Sequence, residues 1–348
     1  MLNLMNTLVD EGVHVDLLLN HTRIPELLKV RDEVNVVELG ETDGFMRIPA
    51  LVRYLRDKQP SVLLANRERA VRVATVALRY SGVSSRIAIR VGMAISMALN
   101  RRNLIQRWLR RSAIIYCYRR ADVIIANSKG VAQDVASVTG IPLENIDIVN
   151  NPTVSPDIFM EAEEPVGHPW LTPESPPVIL GVGRLARQKD FPALLRAFAM
   201  LRSKRDCRLV ILGEGKERDR LTNLAEELDI REDVDLPGYV SNPFAYMSRA
   251  AQFVLSSRWE GSPNVLIQAL ALGLPVVATD CRSGPREILS NGLYGPLVRV
   301  GDAEALYRAM LQMLDSPPDK HFLQAAAEPF RVDNCTKAYM ASMGIAGQ

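Results

Sequence analysis

The chain has 348 residues, 47% hydrophobic and 24% charged, which excludes a disordered or fibrous polypeptide and fits two domains of about 150–200 residues each. Four widely spaced cysteines (Cys117, Cys207, Cys281, Cys335) form no Cys-x-x-Cys pair and read as reduced thiols in preference to a disulfide framework, and no apolar run reaches the roughly 18 residues of a membrane-spanning helix. The net charge of +2 hides an asymmetry: residues 1–150 hold 21 Lys+Arg against 15 Asp+Glu, a balance of +6, and the remainder 21 against 25, a balance of −4.

The chain opens in an amphipathic helix, "MLNLMNTLVDEG" (1–12). Short β-branched runs then alternate with helical patterns. In the first half the strands are "VHVDLLLN" (13–20), "VNVVEL" (34–39), "SVLLAN" (61–66), "SRIAIRV" (85–91), "DVIIANS" (122–128) and "NIDIVNN" (145–151). Helices such as "RAVRVATVALRYSG" (69–82) and "SKGVAQDVASVTG" (128–140) separate them. Residues 151–177 are rich in proline and acid, have no sustained period and read as a hinge. In the second half "PVILGVGRL" (177–185), "CRLVILGEG" (207–215), "VDLPGYV" (234–240), "QFVLSS" (252–257), "PVVATD" (275–280) and "GPLVRV" (295–300) alternate with helices. Such alternation predicts an α/β protein with parallel sheets covered by helices. Two doubly wound domains joined by a hinge predict a ligand cleft at the carboxyl ends of the strands. The first domain lacks the strand and tight loop with which such a domain normally begins. Its absence leaves neighbouring ladder groups without partners.

Several stretches carry chemistry. "MALNRRNLIQRWLRRSAIIYCYRR" (97–120) lies inside a segment, 86–121, with nine arginines and no acid. Arg101, Arg102, Arg107, Arg110 and Arg111 surround Trp108, a pattern suited to an anionic membrane surface, with a nucleic-acid surface or a solvated face as competing uses. "GVGRLARQKDF" (181–191) matches G-x-G-x-x-A, but its helix-starting residues, Asp190 and Pro192, come late for a dinucleotide fingerprint. Arg184 and Lys189 beside Gly183 suit a diphosphate, and a solvated basic loop is the plain alternative. "LGEG", with Gly213, and "PGYV", with Tyr239 and Val240, are further strand-to-loop junctions that read equally as ordinary turns. Asp233-Val-Asp235 has D-x-D spacing, but the two side chains are not expected to converge on one ion, and the four histidines show no ligand spacing. In "SSRWEGSPNVLIQALALGLP" (256–275), Glu260 stands in a turn before a short apolar helix. Ser262 is expected to cap that helix and Pro263 to occupy its first turn. The helix amino terminus then offers N–H groups to a sugar or phosphate oxygen. Gln268 is an amide in an otherwise apolar helix. Glu287 in "GPREIL" reads first as a complement to its helix dipole.

Taken in order, "GRLARQKDF", "ILGEG", "LPGYV" and "SSRWEGSPNVLIQALALGLPVVATDCRSGPREIL", with "DVIIANSKGVAQDV" and "VNNP" before them, resemble the retaining GT-B glycosyltransferases of family GT4 across nearly all of residues 120–315. The resemblance implies two Rossmann-like domains. These are an N-terminally truncated acceptor-side domain over 1–152 and a nucleotide-sugar domain over 153–328, followed by a segment 329–348 that packs back on the first. It implies Arg184 and Lys189 at the donor diphosphate, the Tyr239-Val240 loop along the base, Glu260 at the sugar as first acid of an E-x7-E motif, and Gly261, Ser262, Asn264 and Val265 placing sugar and phosphate. Arg184, Lys189 and Glu260 are then the catalytic candidates, with no metal and no cofactor beyond the nucleotide-sugar. Anomeric C–O cleavage puts positive charge on the sugar and negative charge on the leaving diphosphate, which those cations stabilise.

Three departures stand out, the missing first strand and glycine-rich loop among them. Gln268 occupies the place of the second acid, a ribose contact. The family's histidine after "SRIAIRV" is replaced by the run Arg90-Val91-Gly92-Met93. The resulting expectation is a cytoplasmic, peripheral-membrane transferase that moves a sugar, from a UDP-sugar by preference, to a saccharide or polyprenyl-linked acceptor, with no nucleic-acid partner. The alternative is a catalytically weak partner subunit that keeps the fold. An NAD-dependent enzyme would leave Glu260 without a use.

Overall fold

The computed structural model describes residues 1–21, 27, 29–40, 44–99 and 103–346. They form two units, Met1–Pro152 together with Val332–Gln348, and Thr153–Arg331.

The first unit contains strands β1 (Asp16–Leu19), β2 (Asn35–Glu38), β3 (Val62–Ala65), β4 (Arg86–Val91), β5 (Val123–Ala126) and β6 (Asp147–Ile148). Its helices are α1 (Leu2–Asp10), α2 (Ile48–Lys58), α3 (Glu68–Ser81), α4 (Ile95–Leu99), α5 (Leu104–Tyr118), α6 (Lys129–Thr139) and a C-terminal helix, Val332–Met343. All strand pairs are parallel, but they fall into two sheets, β1-β2 and β3-β4-β5-β6. Among the described residues β1 and β3 therefore each pair on one side only. Alternation sends successive residues to opposite faces. Ile87, Ile89 and Val91 of β4 pack with Ile114, Val131 and Val135 of the helices on one face. Ala88 joins Val123, Ile125, Leu4, Leu8 and Tyr339 on the other. The C-terminal helix is also held by polar contacts: Arg90 Nε donates to the Tyr339 hydroxyl at 2.9 Å, and Arg86 donates to the Met343 carbonyl at 2.8 Å.

The second unit contains α7 (Pro156–Glu163), β7 (Val178–Val182), α8 (Phe191–Arg202), β8 (Arg208–Leu212), α9 (Arg218–Glu227), β9 (Val234–Gly238), α10 (Phe244–Met247) and β10 (Gln252–Leu255). It continues through α11 (Asn264–Ala271), β11 (Val276–Thr279), α12 (Pro285–Ile288), β12 (Leu297–Val298), α13 (Ala303–Asp315) and α14 (Lys320–Ala325). The sheet order is β12-β11-β10-β7-β8-β9, all parallel, so the order reverses between β7 and β10. Both faces are buried, as a parallel sheet requires. Leu180, Leu212, Phe253 and Val276 face Leu266, Ile267 and Leu270 of α11. Ile179, Ile211, Val254 and Val277 face Leu194, Phe198 and Met310.

Residues 151–177 are not a plain hinge. Pro156 starts a helix, where its fixed φ suits the first turn, and the segment is pinned to the second unit. Asn242 Nδ2 donates to the Glu161 carbonyl at 2.7 Å and Ser248 Oγ to that of Ala162 at 2.8 Å. A helix of 8 residues is too short for its apolar period to show against the prolines and acids around it.

All four cysteines are buried and unbridged. Burial, reinforced by the Glu260 carboxylate, pushes the Cys281 thiol up to about 12. Burial alone raises Cys335 to about 12, and burial dominates in Cys207, raised to about 11. Raised acids stay protonated in the folded state while the unfolded chain ionises near the ordinary 9.0. Their contribution to stability is thus complete below about pH 9 and lost as pH rises towards 12. A thiol reagent at pH 8 should modify none of the four in the native protein and all four in denaturant; rapid native labelling would contradict this burial.

Candidate functional site

The reversal between β7 and β10 is the place in a doubly wound sheet where the two outgoing loops diverge and leave a crevice. Here those loops are 183–190 and 256–263. The first carries Gly183, Arg184 and Lys189; the second carries Glu260, Gly261 and Ser262.

The structure brings Lys189 and Glu260 together. Lys189 Nζ donates to Glu260 Oε1 at 2.7 Å, with both side chains largely buried. Ser257 Oγ donates to the same oxygen at 2.7 Å. Gln188 Nε2 lies 3.4 Å from Glu260 Oε2 and donates to the Trp259 carbonyl at 3.0 Å. Ser256 Oγ in turn donates to the Lys189 carbonyl at 2.7 Å. Sequence reasoning did not single out Ser256, Ser257 or Gln188. Their only signal was position, a serine pair at a strand end and an amide beside the lysine.

Arg184 differs from Lys189. Its side chain is exposed and has no hydrogen-bond or ion-pair partner among the described residues. It is a cation held by the backbone but not neutralised. Gly183 is fitted closely, since a Cβ there would lie 2.7 Å from Lys189 Cε. Asp190 does not cap α8 with its side chain, despite its helix-starting position; it pairs with Arg258, Nε to Oδ2 at 2.9 Å.

The loops after β8 and β9 lie on the β7 side of the sheet. Gly213 N donates to the Gly238 carbonyl at 2.7 Å, and Gly183 N to that of Leu212 at 2.9 Å, so the three junctions are laced by backbone. Tyr239 is 77% exposed and Val240 packs at the edge of the core.

The helix α11 starts one residue later than its cap chemistry predicted. Pro263, not Ser262, occupies the cap position, and no side chain caps the helix. Proline fixes the approach to the helix but has no side-chain acceptor, so the capping role expected of Ser262 is corrected. Asn264 and Val265 form the first turn, and Asn264 Oδ1 accepts from Thr153 Oγ1 at 3.3 Å. Gln268 is half-buried, and its amide makes no hydrogen bond among the described residues. Among the described residues, no hydrogen bond or ion pair joins Tyr239, Arg184 or Gln268 to the Lys189–Glu260 pair.

The aspartates of D-x-D take separate partners. Asp233 pairs with Arg202 and Arg208, each at 2.8 Å, and Asp235 with His168 Nε2 at 2.9 Å. In the first unit, Arg90 stands where the family pattern has a nearby histidine. Its guanidinium donates to Asn151 Oδ1 at 2.5 Å as well as to Tyr339.

Of the basic segment, Arg101 and Arg102 lie outside the described residues. Arg110 is committed to Glu68, with Nε to Oε1 at 2.7 Å, and Arg111 Nε donates to the Val138 carbonyl at 3.2 Å. Arg107 and Trp108 are exposed. No helix among the described residues is long and apolar enough to cross a membrane.

The family model described as glycosyl transferases group 1 matches residues 168–329, and that of glycosyltransferase family 4 matches residues 1–153. The chain is 36% identical over 219 residues to N-acetylgalactosamine-N,N'-diacetylbacillosaminyl-diphospho-undecaprenol 4-alpha-N-acetylgalactosaminyltransferase of Campylobacter jejuni, covering 63% of this chain and 57% of that protein. It is 32% identical to the lipopolysaccharide core biosynthesis glycosyltransferase LpsE of Rhizobium meliloti, covering 57% and 55%. The chain thus spans little more than half the length of these curated relatives. Among solved structures, Anabaena HepE in complex with UDP and glucose superposes with a TM-score of 0.81 over 99% of this chain and 95% of that one, at 17% identity. That likeness establishes the fold.

Proposed function

Because the chain belongs to the group 1, family 4 glycosyltransferases and has their GT-B fold, we propose that it transfers a sugar from a nucleotide-sugar to a glycan acceptor in surface-polysaccharide assembly. The observation that carries this reading is the Lys189–Glu260 pair at the sheet's switch point, with the unneutralised Arg184 on the same loop. Lys189 spends one of its three N–H donors on Glu260 and keeps two for a diphosphate. Arg184 offers a planar fork with no competing carboxylate. Glu260, anchored through Oε1 by Lys189 and Ser257 and touched on Oε2 only by a long 3.4 Å bond from Gln188, keeps acceptor capacity on Oε2 for sugar hydroxyls. When the anomeric C–O bond breaks, the two cations and the uncapped amino terminus of α11 meet charge appearing on the departing diphosphate. The acceptor hydroxyl attacks from the face the leaving group vacates and passes its proton to the departing diphosphate oxygen, so configuration is retained. The two aspartates of D-x-D are occupied by His168 and arginines, which supports a metal-free reaction.

UDP is the favoured nucleotide, in keeping with UDP in the HepE structure. The acceptor is read as a polyprenyl-diphosphate glycan at the cytoplasmic face of the membrane, since the Campylobacter relative is named for a diphospho-undecaprenol substrate. Thermal-shift measurements with UDP-, GDP- and ADP-sugars test the donor. A shift with UDP-sugars is expected, and no shift with any nucleotide would overturn the reading.

Gln268 gives a sharper test. A ribose hydroxyl bonded to a neutral amide should bind more tightly to a carboxylate, so Gln268→Glu is expected to strengthen UDP binding about fivefold, the ~1 kcal/mol separating charged from neutral hydrogen bonds. Calorimetric titration with UDP reads this directly. Unchanged affinity would place Gln268 away from the ribose.

A further inference from the structure

Asp190 stands directly after Lys189 with φ +48 and ψ +40, in the left-handed region. That region carries a steric penalty for a residue with a Cβ, and it persists only where the surroundings over-determine it. The side chain is also buried, at 5% exposure. Its carboxylate does not cap α8, which has no side-chain cap. The only ion pair it makes among the described residues is with Arg258.

That pair closes a set of contacts between two loops. Three consecutive residues after β7 are held by the loop after β10. The Gln188 carbonyl accepts from Arg258 N at 2.8 Å, and the Lys189 carbonyl from Ser256 Oγ at 2.7 Å. The Asp190 carboxylate takes the guanidinium of Arg258 through two atoms, Nε to Oδ2 at 2.9 Å and Nη2 to Oδ1 at 3.1 Å. A bidentate fork fixes direction as well as distance. Lys189 and Asp190, adjacent in sequence, thus reach residues two apart on one loop, Glu260 and Arg258. The lysine stem has little room to compensate for a shifted backbone, because a Cβ on Gly183 would already lie 2.7 Å from its Cε. Where the backbone of 188–190 goes, the ammonium goes.

We infer, resting on the reading of Lys189 as a diphosphate contact, that Asp190 and Arg258 are positioning residues for that contact. Their ion pair locks 188–190 onto the loop after β10 and so sets where the spare donors of Lys189 stand beside Glu260. Neither residue needs to touch the nucleotide. The left-handed backbone is retained because it carries the carboxylate to the arginine. Small displacements of a group aimed at a reacting centre are costly, so a residue that aims one matters without contact.

Calorimetric titration with UDP and with UMP, which has one phosphate fewer, reads the placement of Lys189. The unmodified chain is expected to bind UDP at least about tenfold more tightly than UMP, through charge-assisted bonds to the added phosphate. Asp190→Asn keeps the volume and tolerates the left-handed backbone. It should lose about tenfold in UDP affinity, with UMP affinity held within about twofold and the melting temperature within about 4 °C. Arg258→Gln should do the same to the two affinities, and Arg258→Lys, which keeps the charge without the fork, should recover only part. Asp190→Asn combined with Arg258→Gln should be no worse than either alone, as expected of one shared interaction. This neutral pair also strands no charge, so it reads the affinities even if Arg258→Gln does not fold. An unchanged preference for UDP in the folded variants, an equal loss of UDP and UMP, or loss of folding in Asp190→Asn would each make the pair purely structural and overturn the inference alone. An unmodified chain that binds UDP no better than UMP would overturn Lys189 as a diphosphate contact, and one that binds neither would overturn the donor reading; the inference falls with both.

Discussion

Replacing Lys189 by Met should cost the protein both stability and transfer, and adding Glu260→Gln should return only the stability. The pair is 2.7 Å apart with side chains 16% and 8% exposed. Removing one member strands the other's charge in a site where water cannot replace it, and such losses run to about 3–5 kcal/mol. Denaturant unfolding of the single variant should show a loss of that order, with most of it recovered in the neutral double variant. Transfer should not recover. A cation aimed at a leaving group is worth about 10²–10³ in rate, and no neutral side chain supplies it. Glu260→Gln alone should keep the hydrogen bond from Ser257 but weaken the hold on Lys189, giving a smaller stability loss and a large loss of turnover. Turnover at the normal rate in Glu260→Ala, in the presence of a partner transferase, would instead make the chain a catalytically weak subunit.

Gly213→Ala is the second change with a large expected effect. Gly213 has φ +137, and a Cβ there would sit 2.0 Å from the Gly183 carbonyl oxygen, inside any tolerable contact. The obstacle is backbone, so no rotamer relieves it. Either the β8 loop moves or the β7 loop does, and the latter carries Arg184 and Lys189. A loss of about 3 kcal/mol or more is expected, together with loss of the UDP thermal shift. Gly301→Ala is the matched control. Its φ is +79 with nothing within 4 Å of the added carbon, so only the left-handed backbone penalty of about 1–2 kcal/mol applies. Equal effects at the two positions would mean that φ, not the close approach of the two loops, dominates.

Much of this was legible in the chain. A parallel strand buried on both faces is a short β-branched run, and "RLVIL" or "VVAT" announces itself without any neighbour. The order of loops at strand ends placed Arg184, Lys189 and Glu260 at one edge of one sheet. What stayed hidden was pairing across long sequence separations. Glu260 meets Lys189 71 residues away, Arg110 meets Glu68 42 residues away, and Asp235 meets His168 67 residues away. No local period encodes such contacts. They follow from which loops the topology makes adjacent, and from rotamers that only packing selects. The cap of α11 failed for a different reason. Ser262 and Pro263 both carry helix-start chemistry, and the choice between them depends on the path of the preceding turn. That turn is crowded, because a Cβ at Gly284 would meet the Gly261 carbonyl and Pro263 Cδ, each at 2.7 Å.

The divided sheet of the first unit has a dynamic consequence. Leu18 of β1 and Leu63 of β3 pack in one apolar cluster, and Val15, just before β1, packs with Val62 and Leu64 in another, so among the described residues the two strands share cores without sharing a ladder. Among the described residues side-chain packing, with no backbone ladder, joins them. The β1-β2 pair can therefore open as its own cooperative piece, at a lower free energy than β3 to β6. Amides of β1 and β2 would exchange with solvent hydrogen through that local opening, while those of β4 and β5, interior to the four-stranded sheet, would wait for the whole unit to unfold.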